Sequence, residues 1–144
     1  MSKLNGRLAC ITTIAAFCAV IPISRSADPV STKAQWQTTV NKAIGYLKTT
    51  QEDNGGWSTK TSIGVTGVVT TGLLQCGVTP DDAPASKGLE FIEKLINTKA
   101  GHIAGADPKM GLQNYVTSIN VMALATAKRD AKFKPVIKNG TEFL

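Results

Sequence analysis

The chain has 144 residues, a formal charge of +6, and 42% hydrophobic against 18% charged residues, which bounds it at about one domain. Lys3, Arg7 and Arg25 carry half of that charge; without residues 1–26 it falls from +6 to +3, an ordinary solubility charge that excludes a basic nucleic-acid-binding surface. Cys10 and Cys18 lie in the same stretch, so Cys76 is the one cysteine beyond it, which excludes an internal disulfide there.

Residues 1–26 read as a secretory signal. Lys3 and Arg7 precede an uncharged, mainly apolar run of sixteen residues, Leu8 to Ile23, and Ser24-Arg25-Ser26 offers small residues where a signal peptidase reads. The run is shorter than the roughly 20 residues of a membrane-spanning helix. Cleavage after Ser26 or Ala27 implies a secreted or periplasmic protein; an uncleaved segment would instead act as a membrane anchor.

Residues 27–34 form a polar lead-in. Trp36, Val40, Ala43, Ile44 and Leu47 then recur at helical spacing and predict a helix over about Thr32 to Gln51, stopped by Asn54-Gly55-Gly56. The Val/Thr-rich segment Ser62 to Cys76 has strand-like composition. However, Val65-Thr66-Gly67-Val68 aligns with Val116-Thr117-Ser118-Ile119, whose continuation Met122 to Ala127 favours helix. Both segments are therefore expected as helices. A turn at Gly77 to Pro84 leads to a further helix with Gly88, Phe91, Ile92, Leu95 and Ile96 on one face.

Three stretches share one helix opening: Lys42 to Leu47, Lys87 to Ile92 and Asn139 to Leu144. Their spacing is 45 residues from Ala43 to Gly88 and 52 from Gly88 to Gly140, near the longer helical-repeat periods. The last copy stops at its opening, which leads us to expect an unpartnered apolar face there and a chain truncated at its C-terminus.

Lys42-Ala43, Tyr46-Leu47, Gln51, Gly55-Gly56 and Trp57, in this phase, resemble the QW repeat of the squalene cyclase and prenyltransferase family, in particular its secreted bacterial repeat proteins. Pro80-Asp81-Asp82 and Asn114-Tyr115-Val116-Thr117 add to the likeness. The resemblance covers about residues 35–144. It implies an all-α fold of helical-hairpin repeats, an (α/α) toroid left incomplete at about two helix pairs plus the start of a third. Chemically, the Gln51 amide suits tying peptide groups at a helix end to the next turn. Trp57 suits sealing a gap between helices. In the second copy Ile96 replaces the glutamine and no tryptophan follows, so apolar packing is expected to brace it.

No catalytic, cofactor-binding or metal-binding set emerges. Asp81 and Asp82 lack the leading aspartate of a cyclase acid motif and read as turn or capping residues. His102 and Cys76 have no ligand-like spacing; His102 is expected in solvent and Cys76 as a small packed residue. The reading is a secreted repeat module of unknown activity, a non-catalytic scaffold or binding domain. Its partner is unknown, the candidates being an apolar small molecule or another protein, with no nucleic acid expected and membrane contact only through an uncleaved signal. The alternatives are a terpene cyclase or prenyltransferase with catalytic residues beyond 144, or a polysaccharide lyase-like toroid.

Overall fold

The computed structural model describes residues 29–106 and 112–144, so the proposed signal, residues 1–26, lies outside the described residues. The protein is all-α: α1 Pro29–Thr49, α2 Gly64–Gln75, α3 Ala85–Lys94, α4 Gln113–Thr126 and α5 Asp130–Phe143. Among the described residues the only β pairing is one isolated antiparallel bridge, Ile96 to Ile103. No described helix is long and apolar enough to cross a membrane.

The segment of strand-like composition is helical because of its neighbours. α2 packs against both α4 and α3, and its small residues permit the approach: a Cβ on Gly64 would meet Val116 at 3.4 Å, and one on Gly67 would meet Ile119 at 2.7 Å and collide with the Asn120 amide. Contacts that ascend in both helices make α2 and α4 parallel. Buried Thr66, Thr70 and Thr117 make this helix pair rich in small and hydroxylated side chains. This close packing overrides a weak strand propensity.

Past the end of α2, Gly77 N–H bonds the Leu74 carbonyl, and the Gly77 φ of +89° lets Val78 N–H reach back to the Leu73 carbonyl. Residues 76–84 return the chain to α3, which packs back on α2. Residues 127–129 likewise return it to α5, which packs on α4. The main core lies among α3, α4, α5 and the α3–α4 loop: Leu89, Ile92, Ile103, Ala123, Leu124, Ala127 and Phe133.

Two expectations about the last helix need correction. It does not merely open at Asn139; it begins at Asp130 and carries Pro135 inside. Its apolar face is also not bare. Phe133 is 1% exposed, and Val136 and Ile137 pack against the core, because the Ile103 loop and α4 supply the partner surface. The first helix starts slightly before the expected Thr32.

Candidate functional site: the interhelical brace and the open groove

The second half of the motif comes together at the end of α1. Gln51 Nε2 donates to the Gly55 carbonyl (2.9 Å) and, across 33 residues, to the Pro84 carbonyl just before α3 (3.0 Å). One amide thus closes the 51–57 turn and fastens it to the next helix. Gly55 sits at φ +93°, and a Cβ there would stand 2.5 Å from the Lys87 carbonyl oxygen, so glycine is required twice over.

Trp57 is 4% exposed. Its indole N–H donates to the Leu47 carbonyl (2.9 Å) and its backbone N–H to Thr66 Oγ1 (3.0 Å). The ring approaches Gly88, where an added Cβ would lie 3.2 Å from Trp57 Cζ3 and collide with Thr70 Oγ1. Trp57 therefore joins α1 and α3 through its indole and α2 through its backbone N–H. The turn is stiffened by Glu52, whose carboxylate accepts the hydroxyl and the backbone N–H (3.0 Å) of Thr59. These bonds, the hydroxyl's first, hold the Glu52 carboxyl below its ordinary pKa. Of the first half of the motif only Leu47 joins this cluster, through its backbone carbonyl. Lys42 and Ala43 are exposed, and Tyr46 is 67% exposed.

The second copy has its own brace, centred on a residue the sequence reading passed over. Ile103 N–H donates to Thr117 Oγ1 (3.1 Å), as Trp57 N–H does to the aligned Thr66. Ile103 Cδ1 lies 3.4 Å from where a Cβ on Gly140 would stand, as Trp57 does for the aligned Gly88. The Ile103 carbonyl accepts Asn120 Nδ2–H (2.7 Å). This brace therefore combines apolar packing with hydrogen bonds. The signal was present in the paired Thr66/Thr117 and Gly88/Gly140, but Ile103 sits in a loop with no pattern of its own.

Two residues weighed for chemistry, His102 and Cys76, stand differently from expectation. His102 is buried at 6% exposure, its ring edge-on to Phe143 with centroids 5.4 Å apart and Nδ1 without a hydrogen-bond partner. Phe143 of α5 covers the glycine-flanked loop that looked solvated. Cys76 is exposed, not packed, because the flank of α2 that faces α1 is open. Asp81 and Asp82 are turn residues but not caps. α3 starts at Ala85 without a side-chain cap; Asp81 pairs with Arg129, and Asp82 accepts the Thr79 hydroxyl (2.8 Å). Among the described residues, no three His, Cys, Asp or Glu side chains gather into a metal-binding group.

A groove of about 300 Å³ runs between α1 and α2, lined chiefly by Trp36, Val40, Ala43 and Leu47 on one side and Val69 and Leu73 on the other. The apolar stripe of α1 faces this opening, and only Val40 of residues 32–49 is buried.

Comparisons with protein-family models, curated proteins and solved structures return no match.

Proposed function

We propose that residues 35–144 form a module of helical-hairpin repeats, similar in plan to the (α/α) toroid of the prenyltransferase and squalene cyclase family, that serves as a non-catalytic scaffold or binding domain. The observation that carries the repeat reading is the brace built twice: Trp57, Thr66 and Gly88 in one copy, Ile103, Thr117 and Gly140 in the next. The binding role rests on the α1–α2 groove. Its volume of about 300 Å³ matches the lower end of small-molecule sites. Its lining of uncharged, mostly apolar side chains suits an apolar molecule or an apolar protein segment. In this reading residues 1–26 are a secretory signal, and the module works in the periplasm or outside the cell.

The chain collected after export is expected to begin at Ala27 or Asp28 by mass spectrometry and to bind a solvatochromic apolar dye. Ala43→Lys, at an exposed position on the groove wall, weakens that binding at least tenfold. Dye binding unchanged by Ala43→Lys contradicts the groove as the binding surface. Turnover of squalene or a prenyl diphosphate, lost on the same substitution, would replace the scaffold reading with a catalytic one.

A further inference from the structure

The 51–57 turn carries a reactive pair at its centre. Asn54 is followed by Gly55, and glycine puts no Cβ between its own nitrogen and the carboxamide before it. The fold cannot dispense with this glycine, because its φ is +93° and a Cβ would collide with the Lys87 carbonyl. Asn54 is engaged as well. Its Oδ1 accepts Gly56 N–H (2.8 Å), and its Nδ2 donates to Thr59 Oγ1 (3.1 Å) and to Glu52 Oε2 (3.4 Å). The Gly55 nitrogen donates to the Glu52 carbonyl (2.9 Å), and Gly55 is buried while Asn54 is exposed. With the turn closed, both reacting groups are tied; with it open, both are free.

We infer that Asn54 is a site of spontaneous deamidation, gated by the brace between α1 and α3. In the opened turn the Gly55 nitrogen attacks Asn54 Cγ. The N–Cγ bond forms, the Cγ–Nδ2 bond breaks, and the side-chain amide leaves as ammonia carrying the Gly55 proton. Water then opens the cyclic imide at either carbonyl and leaves aspartate or isoaspartate at position 54. The product resists reclosure. A carboxylate has no N–H to give Glu52 or Thr59. It also sets a second negative charge beside the Glu52 carboxylate, which the Thr59 hydroxyl first, and Asn54 after it, hold below its ordinary pKa. Isoaspartate further adds a backbone methylene inside a turn that Gln51 spans with one hydrogen bond. A transient opening thereby becomes a permanent loosening of α1 from α3. Among the described residues the chain has a second Asn-Gly pair, Asn139-Gly140, but it lies inside α5, with Gly140 packed close to Val121 and Ile103. That pair opens only with the helix and the core beneath it.

The test incubates the full chain in mildly alkaline buffer and follows it by tryptic mass spectrometry, which separates residues 49–60 from residues 139–144. The acid form is expected to accumulate at Asn54 before Asn139. Gln51→Ala frees the turn from Pro84, and Thr59→Ala frees the Asn54 amide; each should speed the reaction at Asn54 at least fivefold. Phe133→Leu loosens the main core and should leave that rate within twofold, because a local opening, not global unfolding, sets it. Asn54→Asp carries the product from the start and should exchange the Trp57 amide at least fivefold faster. The inference is overturned by product appearing first at Asn139, or by none at Asn54 over a time that converts the urea-unfolded chain. It is equally overturned by an Asn54 rate that neither Gln51→Ala nor Thr59→Ala moves, or that Phe133→Leu raises as much. Unchanged Trp57 exchange in Asn54→Asp overturns the loosening.

Discussion

The Trp57 indole packs beside Gly88 of α3 while its N–H satisfies the Leu47 carbonyl near the end of α1. Trp57→Ala removes both contributions and is expected to lower unfolding free energy by about 3–5 kcal/mol in urea titration. Trp57→Phe keeps most of the packing and forfeits the indole bond, a loss of roughly 1 kcal/mol. A loss under about 1 kcal/mol for alanine would mean an exposed ring. Glu52 gives a pH signature. Because its folded pKa is depressed, its contribution is fully present above the unfolded value of about 4.3 and is lost as pH falls through the lower folded value. Thr59→Ala should move the Glu52 carboxyl upward in an NMR titration; an unmoved resonance would show that Thr59 does not hold it. This turn was legible in the sequence because its chemistry is local: Gln51, Gly55 and Trp57 fall within seven residues. The burial of His102 was not, because it depends on Phe143, which only α5 brings back over the loop.

At the scale of the helices, α2 and α4 end alike, but with different residues. Gly77 closes α2 at φ +89° and Lys128 closes α4 at φ +52°, with Lys128 N–H bonded to the Ala125 carbonyl as Gly77 N–H is to Leu74. A lysine in the left-handed region carries a backbone cost of about 1–2 kcal/mol that glycine avoids. Lys128→Gly is therefore expected to raise the thermal midpoint, by about 1 kcal/mol in stability, and Gly77→Ala to lower stability by about 1 kcal/mol. A destabilising Lys128→Gly would contradict this equivalence. Helix type was readable from periodicity once the Val65 and Val116 segments were aligned. Helix extent at α5 was not, since Lys132, Lys134 and Pro135 hide a helical start whose face is defined by Phe133 packing into the core.

Across the whole molecule, two turns are held by the same construction with different side chains, Trp57 in one and Ile103 in the other. The glycines beneath them are close-contact positions: a Cβ on Gly140 would stand 2.7 Å from Val121 Cγ2. Gly88→Ala and Gly140→Ala should each cost about 1–3 kcal/mol by overpacking, read by urea unfolding. The pairing of Thr66 with Thr117 and of Gly88 with Gly140 was legible in the sequence. That Ile103 stands in for Trp57 was hidden, because the likeness lies in a backbone N–H and its threonine partner, not in side-chain identity. Native-state hydrogen exchange at the Trp57 and Ile103 amides tests this duplication most directly. Both amides should exchange only through near-global opening, with Thr66→Val accelerating Trp57 and Thr117→Val accelerating Ile103. Fast exchange at either amide in the unsubstituted protein would contradict the account.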